Sequence, residues 1–247
     1  MATDKQRYNQ FQKDIRALQE ELSFKAYYDT IQAKLLDILA KYELKDIDTL
    51  WRLRKIVEPA FHPEFRKYVD QIFITYNVVL ETVNEYYDDL GVDISRDFDE
   101  IRALERVNRT KLGQYEDDEI KRIAKDLRKG IRKGWDHKRI AKQLRTGTGD
   151  RVRFYAQTIA RTQVKGYSRM AKMEKARIGE VFWFEYVGII REHTRDFCRN
   201  LLAPSDPTYH IDSIMQMNNN NLMPVRIYGG GWNCHHDWEP DPFYNEK

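Results

Sequence analysis

The feature that most constrains this chain is a run of apolar side chains between Glu64 and Leu90 that keeps a helical period without interruption. Phe65, Tyr68, Val69, Ile72, Phe73, Tyr76, Val79, Leu80, Val83 and Tyr87 recur at spacings of three and four. That places them on one stripe of a 3.6-residue repeat and out of phase with the two-residue repeat of a strand. Gly91 follows as a natural stop just past the last turn. A helix this apolar needs other helices to cover it, and the preceding residues offer them. Tyr8, Phe11, Ile15, Leu18 and Leu22 form one such stripe, and Ile31, Leu35, Ile38, Leu39 and Tyr42 form a second. Leu50, Leu53 and Val57 begin a third, which Pro59 and Pro63 are expected to break.

Further along, a short acidic helix is expected from Ser95, with Phe98, Ile101 and Leu104 inward. Asp117 or Asp118 can cap the next, whose apolar positions are Ile120, Ile123, Ala124, Leu127 and Ile131. Asp136 reads as the N-cap of a short helix through Ile140 and Leu144, closed by a loop at Thr146-Gly147-Thr148-Gly149. A long basic helix then covers residues 150 to 177 and ends at Gly179. Beyond it the texture changes. Residues 181 to 187 are β-branched and aromatic and read as a strand, and residues 225 to 228 as a second one. Between them a Thr194-capped helix is expected to Leu202, another from Tyr209 to Met217, and a loop at Asn218 to Asn221. The expected fold is mainly α with a small α+β C-terminal module: a helical body over 1–110, a basic helical region over 111–178 and the module over 179–247.

Composition supports a folded chain: of 247 residues 33% are charged, yet 13% are aromatic, enough large apolar side chains to build a core. Two cysteines cannot form a disulfide framework, which points to synthesis in a reducing compartment. The N-terminus lacks an apolar signal region and no stretch approaches the roughly 18 apolar residues of a membrane span, so neither export by a signal peptide nor membrane insertion is expected.

The net charge of +3 conceals strong segregation. Residues 121 to 177 carry 19 basic and 4 acidic side chains, a block of +15 flanked by −8 over residues 81 to 120 and −5 over residues 178 to 247. Such a block either meets a polyanion or is a solvated helical face. For the first reading, Arg128, Lys129, Arg132, Lys133, Arg151, Arg153, Arg161, Lys165 and Arg169 would contact nucleic-acid phosphates without reading bases. Helix-turn-helix recognition about Gly134-Trp135-Asp136 is a rival, although the second helix offers only Gln143 to read base edges.

Soft ligands gather at the C-terminal end. Both cysteines, Cys198 and Cys234, lie there with His193, His210, His235 and His236. A zinc site from Cys198, Cys234 and His236 is chemically sensible, although there is no Cys-x-x-Cys knuckle and the cysteines are far apart in sequence. The alternative is that both are small buried hydrophobes and that the histidines bond to backbone. A Cys198 nucleophile with a His236 base lacks an orienting third group and an oxyanion hole. Gly229-Gly230-Gly231 lacks the Lys-Ser or Lys-Thr of a phosphate loop, and is expected to let backbone pass close over Trp232.

Taken in order, Ile159-Ala160-Arg161-Thr162-Gln163, the aromatic strand ending at Gly188, Thr194-Arg195-Asp196-Phe197-Cys198, and Gly229 through Pro240 resemble the C-terminal domain of the Mu F-like phage head morphogenesis proteins, the minor head proteins. The resemblance covers roughly residues 119 to 240, and its motif positions here are Thr194, Arg195, Cys198, Gly230, Asn233, Cys234 and His236. His235 stands where the family commonly has an arginine, and Arg191 or Glu192 where it often has an acid. The resemblance implies a minor, non-catalytic component of a tailed-phage head, made in the bacterial cytoplasm and carried in the virion near the portal. It also implies roles in head assembly and in DNA packaging or release. Portal or other head proteins and double-stranded DNA would then be its partners. Aromatic anchors among Phe65, Tyr68, Phe73, Tyr76 and Tyr87 are expected to dock the head partner, the alternative being that all of them lie in an ordinary helical core within the chain. The rival readings are a metal-dependent nuclease or other hydrolase in the C-terminal module, and a sequence-tolerant DNA-binding module outside any virion.

Overall fold

A computed structural model of the protein describes residues 4–47, 49–91, 99–242 and 244. The elements run α1 (Asp4–Glu21), α2 (Lys25–Leu39), a 3-10 turn (Leu44–Ile47), α3 (Leu50–Asp89), α4 (Asp99–Arg132), α5 (His137–Arg145), α6 (Gly147–Ile178), β1 (Trp183–Val187), α7 (Asp196–Leu202), β2 (Thr208–His210), α8 (Ile211–Gln216), α9 (Val225–Tyr228) and β3 (Asp237–Pro240). The protein is thus mainly helical, with one small antiparallel sheet near its C-terminal end. It divides into two compact units, each discontinuous in sequence. One combines residues 1–21, 73–106 and 158–247, and the other combines residues 22–72 and 107–157.

The second unit is built on the beginning of the long apolar stripe. Phe24, Phe61, Phe65 and Tyr68 are buried around one another, with Phe24 and Tyr68 rings 4.8 Å apart. Two prolines expected to break the helix lie inside α3 instead. Each removes a backbone donor, at about 3 kcal/mol in an isolated helix. Both rings are solvent-exposed, whereas Val57, Ala60, Phe61 and Phe65 beside them are buried, and that packing offsets the loss. Asp117 and Asp118 likewise start no helix. The stripe Leu112, Glu119, Ile120, Ile123, Ala124 and Leu127 stays buried through them, so α4 is continuous. Positions 95–98 of the expected acidic helix, Phe98 included, lie outside the described residues. Asp136 caps α5 by accepting from the Arg139 amide at 2.8 Å. Of the expected loop at Thr146–Gly149, Thr146 ends α5 and Gly147 to Gly149 already belong to the first turn of α6, where a Cβ at Gly149 would lie 2.2 Å from the Leu144 carbonyl and 2.8 Å from the Tyr28 ring.

In the first unit, Tyr76 stacks on Tyr167 at 4.1 Å, and the Tyr87 hydroxyl donates to the Lys172 carbonyl. Phe65, Tyr68, Tyr76 and Tyr87 are at most 1% exposed and Phe73 is half-buried. Of the aromatic anchors expected to dock a partner, Phe65, Tyr68, Tyr76 and Tyr87 are therefore internal core.

The sheet has the order β2-β1-β3, both pairings antiparallel. Phe184 and Tyr186 of β1 are buried while Glu185 between them is exposed, the alternation of a half-buried strand. Residues 225–228, expected as a strand, form one helical turn whose end is set by Gly229 at φ 54°. Four residues of β-branched and aromatic character carry too short a period to separate the two conformations. The second and third strands lie instead at 208–210 and at 237–240; the helix expected over 209–217 forms as α8 from Ile211, after β2 has taken its first two residues. Arg195, not Thr194, occupies the N-cap of α7, and the Thr194 hydroxyl accepts from the Arg191 amide at 2.7 Å.

Candidate functional site

Four segments distant in sequence meet beside this sheet. The basic face of α6 supplies Lys165, Arg169 and Lys172, which recur on one side of a helix. The residues before and within β3 supply Cys234, His236 and Asp237, β1 supplies Tyr186, and α7 supplies Cys198. All eight side chains are buried.

Asp237 is the hub of the charges. Lys172 lies 2.8 Å, Lys165 2.9 Å and Arg169 3.4 Å from its carboxylate oxygens. Gln12 of α1 donates to the same carboxylate and accepts from Lys165. Burial opposes the charge on Asp237, but three surrounding cations outweigh it and hold the carboxyl well below its usual range. The lysines show the converse, because a single carboxylate is shared among three cations. Burial outweighs it and lowers both amines, Lys165 to about 8. Arg169 also donates to the carbonyls of Ile227, Cys234 and His236, and Lys172 donates to that of Trp238. The last turns of the basic block thus clamp the backbone leading into β3.

The sulfur cluster lies on the other side of the same backbone. Cys198 and Cys234 sulfurs are 3.9 Å apart, and His236 Nδ1 is 3.8 Å from Cys234 Sγ. The Tyr186 hydroxyl donates to Cys198 Sγ at 3.3 Å, and the Gly230 amide donates to Cys234 Sγ at 3.2 Å. The two thiols are tightly paired, and Cys234 is the acidic member. The hydrogen bond from Cys198 is the largest cause, with His236, the Arg169 guanidinium and the Gly230 amide adding to it. Cys198 is correspondingly pushed up by Cys234 and by burial. These three residues are the ones among those described that can hold a metal. The glycine loop makes room for the sulfurs rather than for Trp232: a Cβ at Gly230 would lie 2.3 Å from Cys198 Sγ.

The remaining motif positions tie the segments together. The Asn233 amide donates to the Thr162 hydroxyl at 3.0 Å, and Arg195 donates to the Trp232 carbonyl at 2.6 Å. Arg199 reaches back to the carbonyls of Arg191, Glu192 and Thr194 and fixes the loop before α7.

The candidate phosphate-binding residues separate into groups. Lys165 and Arg169 face inward, as above. Arg151 lies 2.7 Å from Asp126 and 3.7 Å from buried Glu119, and Arg153 lies 3.6 Å from Asp29 and also pairs with Asp150. Lys129, Arg132 and Lys133 are exposed near the end of α4 and Arg128 is half-buried. Arg161 lines a cleft of about 260 Å³ with Arg16, Lys165, Arg169 and Arg191, where Glu20 is the sole carboxylate. Burial and then Arg191 hold the imidazole of His235, also in this cleft, below its ordinary range. Sequence reasoning missed Asp237, Gln12 and Tyr186, and it placed Lys172 on a phosphate-tracking helical face, whereas its amine is buried against Asp237. Asp237 sits inside the conspicuous Trp-Asn-Cys-His-His-Asp-Trp run, but nothing local marks it as buried. No protein-family model matches the sequence, and neither a curated protein nor a solved structure is similar to it.

Proposed function

We propose that this protein is a minor structural component of a tailed-phage head, made in the host cytoplasm and held near the portal without a catalytic step. One observation carries the reading: the segments that resemble the Mu F-like minor head proteins are bonded to one another, through Thr162 to Asn233 and Arg195 to Trp232 toward the surface and through Cys198 to Cys234 in the buried centre. Residues of a catalytic site must meet a substrate. Here Cys198 and Asp237 are 1% and 2% exposed, and their polar atoms are directed at internal partners, which suits a fold-determining core. The basic cleft that contains Arg16, Arg161 and Arg191 supports contact with double-stranded DNA by charge rather than base sequence. On this reading the phosphates meet Arg16, Arg161 and Arg191 of the cleft, because Lys165 and Arg169, which also line it, are engaged by Asp237.

The test is the composition of particles. Heads purified from lysates of the phage that encodes the chain, before and after DNA filling, are analysed by quantitative mass spectrometry and by crosslinking to portal. The expected result is a few copies per head retained in both, with crosslinks to portal. Absence from purified heads would remove the reading.

A further inference from the structure

We propose that Cys198, Cys234 and His236 bind one zinc ion, and that the Tyr186 hydroxyl closes the fourth corner of the site. The first argument is metric. Two thiolates at about 2.3 Å from a tetrahedral ion lie about 3.8 Å apart, and a thiolate and an imidazole nitrogen about 3.6 Å apart. The sulfurs here are 3.9 Å apart, and Cys234 Sγ lies 3.8 Å from His236 Nδ1. All three ligand atoms fall within 4.8 Å of one another. The Tyr186 oxygen lies 3.3 Å from one sulfur and 3.8 Å from the other, against both thiol ligands.

The second argument is that the surroundings hold the three side chains in place. Gly230 approaches Cys198 Sγ so closely that a Cβ would be 2.3 Å away, and a Cβ at Gly188 would be 2.3 Å from His236 Cδ2. The Gly230 amide points at Cys234 Sγ, the bond that a ligating thiolate accepts from neighbouring backbone. His236 stacks on Tyr186, its Nε2 is buried without a hydrogen-bond partner, and its polar engagement is through Nδ1 toward sulfur.

Charge and chemistry select the ion. Two thiolates with one divalent cation are neutral, which is the state a buried site favours. Sulfur and imidazole donors in a tetrahedral arrangement favour zinc over hard cations. A disulfide would need the sulfurs to close from 3.9 Å to about 2.05 Å. The ion would pin α7 to the approach to β3 in a module whose sheet has only three short strands, and such modules gain most from a staple.

The experiment uses the full chain, expressed with zinc in the medium and purified under reducing conditions. Elemental analysis should find one zinc per chain. After chelation, titration with cobalt should produce a thiolate-to-cobalt charge-transfer band and the intense visible bands of tetrahedral coordination. His236→Ala should lose both signals and His236→Cys should retain them, since cysteine restores a ligand. Should a variant fail to fold, the wild-type metal content and cobalt spectrum still decide. Sub-stoichiometric metal with no thiolate–cobalt band in folded wild-type protein would overturn the proposal, as would a Cys198–Cys234 disulfide in the protein as isolated.

Discussion

Lys172 and Asp237 form an ion pair of 2.8 Å whose side chains are 0% and 2% exposed. Removing one partner of such a pair leaves the other charge uncompensated, which costs far more than the pair contributes. Asp237 cannot be spared, because Lys165, Arg169 and Lys172 all depend on it. Asp237→Asn should destabilise the fold by about 3–5 kcal/mol. Lys165→Met, which keeps the bulk and leaves Asp237 two cations, should cost less than about 1.5 kcal/mol. Urea denaturation of the two variants checks the order, and equal losses would contradict it.

The same cluster fixes a pH dependence with two arms. Asp237 keeps its charge in the folded state where the unfolded chain takes up a proton. Its contribution is therefore present above the ordinary aspartate pKa and lost on acidification below about pH 4. Lys165 releases its proton near 8 in the folded state and near 10.5 when unfolded. Between these values the unfolded chain binds more protons, so this group's contribution to stability rises with pH. Urea midpoints across both windows should fall in acid for the wild type, and the alkaline rise should shrink in Lys165→Met.

Two glycine substitutions should move stability in opposite directions. Gly230→Ala places a methyl group against Cys198 Sγ and should cost about 1–3 kcal/mol. Gly113→Ala, within α4 and with nothing near its added carbon, should stabilise by about 0.4–1 kcal/mol through the unfolded chain. Thermal melts of the two variants measured side by side decide this.

Nucleic-acid affinity should follow the cleft. Reversing charge at Arg16, Arg161 and Arg191 together should weaken binding to duplex DNA and reduce the slope of log affinity against log salt by about 0.9 for each phosphate that is no longer neutralised. Reversal at Arg151 and Arg153, which already have carboxylate partners, should change the slope less and stability more. Fluorescence anisotropy over a salt series distinguishes the outcomes, and a slope unmoved by the cleft variant would assign the DNA-binding surface elsewhere.

Much of the architecture was legible from local chemistry. The stripes around Phe11, Ile31, Tyr76 and Ile123 specified helices because a 3.6-residue repeat of apolar side chains has one way to be buried. Asp136 and Gly91 marked ends through capping and left-handed backbone, which depend only on a few neighbours. Cys198, Cys234 and His236 stood out as soft ligands, but whether they meet depended on how α7 and the approach to β3 pack. The prolines of α3 and the turn at Val225 run against their local signals, since packing outweighs propensity over a few residues. Lys165, Arg169 and Lys172 show the limit most sharply. Their spacing on α6 is that of a solvated or phosphate-tracking face, and only the return of the chain at Asp237 turns them inward. A helix period records which residues share a side, but the sign of the charge waiting there is set by a residue from another part of the chain.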